Sequence, residues 1–455
     1  MAQSDTSVAR LAAWAATADS SHPALTESAA AAFADTLACI LAGRSDSATR
    51  AVLKGARATH GDGPAAVWSL GQTLSPAGAA LVNGTAAHAL DFDDNFAPAM
   101  SHASAVLVPA LLAMAAGRPA ISGPDLLQAY VIGLEVQARI GAVMHPEHYG
   151  AGWHSTATLG AIGAAAGCAR LIGADGDAMA RALSLAFSQS SGSKLQFGED
   201  AKPAHAGFAA RAAVTAAALA EAGLGAVAEF VSAPWGLAAL FAGTGREMAL
   251  DDLGTSWALL TDGLMVKRFP CCAASHRALD GVEALMEAHG ISLADIERID
   301  VEMPDILVRN LRYDTPRSPS EARFSLSYPV MRLLEKGKVS LFDFTPSAIA
   351  DVAGCDALGR IHRVPRPLGP MGVNAPYAIE ATLIDGRVLR HEQVPLVGTI
   401  AQPLSPQQRA AKVADCLAWG GLSECEAEFS SAMTALPDAE DILACLSPMT
   451  RGGVE

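Results

Sequence analysis

The sequence predicts a mainly α protein: an all-helical domain formed from both chain ends, with a smaller α+β lid domain inserted between them. Three observations carry this expectation. Of the 455 residues, 51% are hydrophobic but only 5% aromatic, so the apolar content is small and aliphatic, which favours helices packed at short distance. Apolar positions follow a helical pattern from Ser7 to about Leu253. Near Leu259 the texture changes to mixed helix and strand, and it turns helical again after Pro403 and Pro406. The expected boundaries are 1–265 and 403–455 for the helical domain and 266–402 for the lid, with a ligand cleft between them.

The elements follow in order. Pro23 to Ser28 reads as a helix start, and Ala29 to Ala42 supplies an apolar run closed by Gly43. Further helices are expected over Pro76 to Ala89, Ser104 to Ala116, Gly123 to Val143, Ser155 to Ile172 and Gly207 to Ala222; several are apolar all round, as buried helices are. Gly160, Gly163 and Gly167 recur at close spacing, which lets a neighbouring backbone approach. In the inserted region a helix over His276 to His289 is capped by Gly290, and Ile296 to Met303 alternates as a strand. Another helix spans Pro319 to Gly337. Tyr377 to Leu383, the turn Asp385-Gly386, and Val388 to Val394 read as a hairpin.

Composition excludes several classes. Lys+Arg 32 against Asp+Glu 47 gives −15, so no basic field exists to recruit nucleic acid or acidic lipid. The charged fraction of 17% is low, which points to an oligomer. The longest uncharged runs, Pro64 to Leu90 and Ala151 to Ala169, are interrupted by Gly, Ser, Thr, His and Pro, against a membrane span, and the first residues lack the order of a signal peptide. A soluble, cytoplasmic protein is expected. The eight cysteines form no C-x-x-C pair, so reduced thiols are expected rather than a zinc knuckle, a disulfide framework or an iron–sulfur ligand set.

The densest polar cluster in an apolar stretch is His88-Ala-Leu-Asp91-Phe-Asp93-Asp94-Asn95, followed by Ser101-His102. Buried acidic groups are costly unless paired or solvated, so a wet pocket is one reading, and a helix end with its caps is the other. The spacing offers no metal-ligand frame. His154 precedes a small-residue helix, whose N-terminal field holds an imidazole neutral. Lys202 and His205 precede another helix, and Lys267, Arg268, Cys271, Cys272 and His276 fall at the seam between the two textures.

These motifs together resemble the MmgE/PrpD family: H-A-L-D-F-D-D at 88–94, G-W-H-S-T at 152–156, A-K-P-A-H-A-G at 201–207, K-R-F-P-C-C at 267–272 with S-H-R-A at 275–278, and E-A-R-F-S at 321–325. The resemblance implies a homodimer acting on a small anionic polycarboxylate without metal or organic cofactor. It implies catalytic roles for Asp91, His102, His154, Lys202, Lys267 and His276, and substrate contacts from Asn95, His205, Arg268 and Tyr328. Two positions depart from the family pattern: Asn95 stands where Thr is common, and Ala103 where Pro follows the histidine.

Such a site would take a proton from carbon beside a carboxylate and steady the resulting carbanion with cations. His102 or His154 is the expected base, with Asp91 orienting it or handling the second proton, and His276 or Tyr328 the acid. The reading leans to an iminodisuccinate epimerase-like reaction. The alternatives are a 2-methylcitrate dehydratase-like or cis-aconitate decarboxylase-like lyase, or a catalytically silent carboxylate-binding protein.

Overall fold

Two separate hydrophobic cores organise the computed structural model, which describes residues 6–68, 70–243 and 245–450. The larger is helical and draws on residues 8–264, then on Leu341 and the returning segment 416–449. The smaller collects residues 269–383 around a four-stranded sheet.

The helical unit is built from long helices with sequence-encoded starts. Asp46, Ser75, Ser122 and Asp175 each accept a backbone N–H of the first turn that would otherwise lack a partner. Helix Pro76–Ala89 lies almost wholly inside and packs on helix Ala201–Glu221. Glycine makes this contact: a Cβ on Gly84 would stand 2.9 Å from Gly207 Cα, and one on Gly207 would stand 2.2 Å from Leu81 O. Helices Gly123–Met144 and Ser155–Leu171 approach in the same way, where a Cβ on Gly163 would meet Gly133 O at 2.9 Å. This is the close approach expected of the glycine series in that helix.

In the smaller unit, strand Ile296–Pro304 pairs parallel with Ile361–Arg366 and antiparallel with Tyr377–Leu383, which pairs antiparallel with Val388–Gln393. Tyr377, Ile379, Ala381 and Leu383 are buried on one face, under helix His276–His289, and Gly290 ends that helix at φ 65°.

The structure departs from the sequence reading at several places, and the helix expected from Gly207 already begins at Ala201. The single helix expected from Pro319 to Gly337 is two, Pro319–Arg323 and Ser327–Lys336, because Ser325 Oγ accepts the Tyr328 N–H at 3.2 Å and starts the second one afresh. Strand Ile361–Arg366 was not anticipated: it is a half-exposed edge strand carrying Pro365, so it shows no apolar alternation. The helical pattern expected as far as Leu253 stops near Ala222. Between there and Gly263 the described residues form only the four-residue helices Leu237–Leu240 and Ala258–Thr261, in a stretch broken by Gly223, Gly225, Pro234, Gly236, Gly243 and Gly254. Helix Pro23–Gly43 is, among the described residues, long and apolar enough to cross a bilayer, and 61% of its apolar window is buried against the bundle, the placement of a core helix.

The glycine seam makes a stability prediction. Gly207→Ala drives a methyl into Leu81 O and should cost about 1–3 kcal/mol, read as a lower urea midpoint with an unchanged m-value.

Candidate active site

A cleft of about 1040 Å³, measured out to its open mouth, lies between the two units. Asp91, Asn95, His102, Tyr149, His154 and Lys202 line the wall of the helical unit; Cys272, Arg277, Asn310, Phe324 and Tyr377 line the other.

Local backbone structure brings these groups together. Helix Pro76–Ala89 ends at Leu90, and Asp91 turns the chain with φ 52°, a conformation rarely held by a residue with a Cβ. Asn95–Phe96 then pairs antiparallel with Leu264–Met265, so that Lys267 arrives beside Asp91. Lys202 comes from the first turn of Ala201–Glu221. Lys202 Nζ donates to Asp91 Oδ1; Lys267 Nζ lies 3.3 Å from the same oxygen and donates to the Asp91 carbonyl at 2.8 Å. Burial alone would raise the Asp91 carboxyl, but the two ammonium groups outweigh it and hold it well below the carboxylate range. Lys267 is likewise held above its ordinary value, burial being outweighed by Asp91 and Asp93, whereas for Lys202 burial dominates and the value falls.

Above this ion triad sit three histidines. His88 Nδ1 donates to both Asp93 oxygens at 2.8 and 3.0 Å, and His102 Nδ1 stands 3.1 Å from Asp93 Oδ2 but is poorly aligned for a hydrogen bond. His154, at the start of helix Ser155–Leu171, meets His205 Nδ1 through its own Nδ1 at 2.9 Å. Burial, before any neighbouring charge, lowers all three, His102 to about 3, so they stand neutral. His88 Nε2, His154 Nε2, Asp91 Oδ2 and Asn95 Oδ1 are buried with no hydrogen-bond partner in the protein.

Residues 9–248 match the MmgE/PrpD N-terminal domain and residues 269–435 the MmgE/PrpD C-terminal domain. The chain belongs to the MmgE/PrpD family. It is similar to the cis-aconitate decarboxylase of Homo sapiens, 29% identical over 74% of this chain and 72% of that one, and to that of Mus musculus, 28% identical over 83% and 78%. The cis-aconitate decarboxylase of Aspergillus terreus is 29% identical over 53% of each chain. As a member of the MmgE/PrpD family with these relatives, the protein is an enzyme of the isomerase or lyase kind.

Within this MmgE/PrpD site the structure reorders the expected roles. Asp91, Asn95, His102, His154 and Lys202 line the cleft. Lys267 is fully buried behind Asp91, so it shapes the site without facing it, and His205 stands behind His154. Asp91 does not orient a histidine: it is taken by the two lysines, and Asp93 holds the imidazoles instead. His276 turns into the core of the smaller unit, its Nε2 3.2 Å from Cys271 O and its ring against Phe269, while the next residue, Arg277, faces the cleft. Arg268 points away and pairs with Asp280 and Glu283. Tyr328 is a core residue whose hydroxyl donates to Asp343 O and accepts from Arg332 Nε at 3.3 Å. Sequence reasoning passed over Asp93, His88, Arg277, Tyr149 and Asn310. The first three lay inside the quoted motifs, and only the fold shows which side chain of each motif turns inward.

The buried imidazoles predict a pH dependence. His205 is lowered to about 4 from its ordinary 6.5, by burial first and then by His88 and Lys202. The unfolded chain therefore takes up a proton that the native state refuses, and stability from this group is lost as pH falls from about 6.5 towards 4. Asp94 and Asp280, pushed up to about 7 by burial, act in the opposite sense, so the comparison must isolate the histidine. The stability advantage of wild type over His205→Asn should shrink across that window by up to about 3 kcal/mol. Urea unfolding of both proteins as a function of pH measures it.

Proposed function

We propose that this enzyme is a lyase that decarboxylates a small unsaturated tricarboxylate of the cis-aconitate type. The observation that carries the reading is one-sidedness. The imidazoles facing the cleft, His102 and His154, both belong to the helical wall. The opposite wall offers Arg277, Asn310, Tyr377 and Cys272, and burial raises the Cys272 thiol to about 11 and the Tyr377 hydroxyl further. Epimerisation, the reaction favoured by the sequence reading, needs proton carriers on two opposite faces of one carbon. Proton delivery from one face serves a decarboxylation, and the named relatives are decarboxylases.

Arg277 supplies the anchor. Its guanidinium is buried at the cleft wall over the Tyr377 ring, donates to the Val373 and Val394 carbonyls at 3.0 and 3.4 Å, and forms no ion pair among the described residues, so its charge is left for a carboxylate. Lys202, already paired with Asp91, supplies a second cation. The bond to the departing carboxylate breaks, its electron pair becomes the new double bond, and the electrons of the old one take a proton at carbon. His102 gives that proton and regains it from solvent. Burial holds it neutral, but an arriving polyanion favours its imidazolium, which Asp93 also steadies. The substrate thus charges its own acid.

We further propose that two chains associate, supported by the exposed apolar side chains of Leu224, Val227, Trp235 and Leu240, which follow one another along a single surface stretch.

Incubation with cis-aconitate, 2-methylcitrate and iminodisuccinate in D₂O, with chelator present, tests the reaction. Release of CO₂ with one deuterium on carbon is expected; deuterium exchange with retention of all carboxylates, or loss of water, overturns it. His102→Asn and Lys202→Ala should lower kcat by about 10²–10⁴-fold, and Arg277→Ala should chiefly raise KM, by roughly 10–100-fold.

A further inference from the structure

The three histidines have a second capability. Single donor atoms of His88, His102 and His154 all lie within 4.8 Å of one another. Two of these rings are already turned outward by hydrogen bonds on the other nitrogen. Asp93 holds His88 at Nδ1, and His205 holds His154 at Nδ1, which leaves both Nε2 atoms buried and without partners. A carboxylate behind an imidazole is how proteins orient a histidine for a metal ion. His102, with 12% of its side chain exposed to the cleft, completes the set and leaves a way in.

We infer that the floor of the cleft is an inhibitory site for a transition-metal dication of the Zn²⁺ kind, held by His88, His102 and His154 with solvent in the open position. Zinc–nitrogen bonds of about 2.0–2.1 Å place three donors roughly 3.3 Å apart, so each ring must shift by less than about 1 Å. Charge allows the guest. Asp91 and Asp93 offset Lys202 and Lys267 beside the three rings, so the cation left over is Arg277 on the opposite wall, and the ion meets imidazole nitrogens that have no other partner. Bound there, the ion takes the nitrogens that the proton transfer needs. The inhibition rests on the proposed use of His102, whereas the binding does not.

Titration of the chelator-treated protein with Zn²⁺, followed by calorimetry and by the visible spectrum of a Co²⁺ form, tests binding apart from turnover. One ion per chain is expected, with d–d bands and no thiolate charge-transfer band. His88→Gln and His154→Gln should each weaken binding about 10–100-fold, and Cys272→Ser should leave binding unchanged. Turnover should fall to zero at one equivalent and return with chelator. Absence of stoichiometric binding, a thiolate band, loss of the ion in Cys272→Ser, or activation by Zn²⁺ overturns the proposal. The wild-type spectrum decides even if a histidine variant fails to fold. If cis-aconitate is not turned over, the binding titration still stands or falls by itself.

Discussion

Asp91, locked between two buried ammonium groups, is the constraint on which the rest of the site depends. Its carboxylate and carbonyl draw together a turn after one helix, the first turn of another, and the chain as it leaves the ribbon Leu264–Met265 for the smaller unit. Buried ion pairs of this kind contribute little net stability, because desolvation consumes most of the attraction, yet removal of one partner leaves a stranded charge. Their effect here is positional. The left-handed backbone at Asp91 is tolerated because two lysines hold it, and that bend carries Asp93 and Asn95 to their places.

The same turn is held from its far side. Lys412, from the returning C-terminal helix Pro406–Trp419, donates to the Phe92 carbonyl at 2.8 Å and to Asp35 at 2.9 Å. Asp94 is bound to Ser104, whose hydroxyl also lies 2.6 Å from Tyr130 Oη, and burial raises its carboxyl to about 7. Each acidic residue of D-F-D-D thus has a different neighbour and a different protonation behaviour: Asp91 for lysines, Asp93 for imidazoles, Asp94 for hydroxyls. Environment, not residue type, divides the labour.

The sequence showed the architecture through period and breakers. The helices Pro76–Ala89 and His276–His289 and the strand Tyr377–Leu383 were legible to the residue because apolar spacing and flanking Pro or Gly agree there. The edge strand Ile361–Arg366 was not, since an edge with little buried surface carries no alternation. At the site, motif identity located the right segments but not the inward-facing member of each. Within S-H-R-A, one residue of helical rotation, about 100°, sends His276 to the core and Arg277 to the cleft. Tyr328 failed for a related reason: a helix that restarts at Ser327 rotates its hydroxyl into the core.

The charge distribution across the cleft explains why this arrangement favours one-sided chemistry. On the helical wall Asp91 is matched by two ammonium groups and Asp93 by two imidazoles, so that wall presents neutral rings whose protonation responds to whatever binds. On the other wall the guanidinium of Arg277 donates to two carbonyls and forms no ion pair among the described residues, so it presents a fixed positive charge. In the decarboxylation proposed above, a polyanion would be anchored by one wall and answered by the other. The smaller unit would hold carboxylates without titrating, while the His102–Asp93 pair would gain a proton only when negative charge arrives. Proton transfer would thereby be tied to occupancy, which would restrict the reactive state of the histidine to the moment when carbon is present to receive the proton.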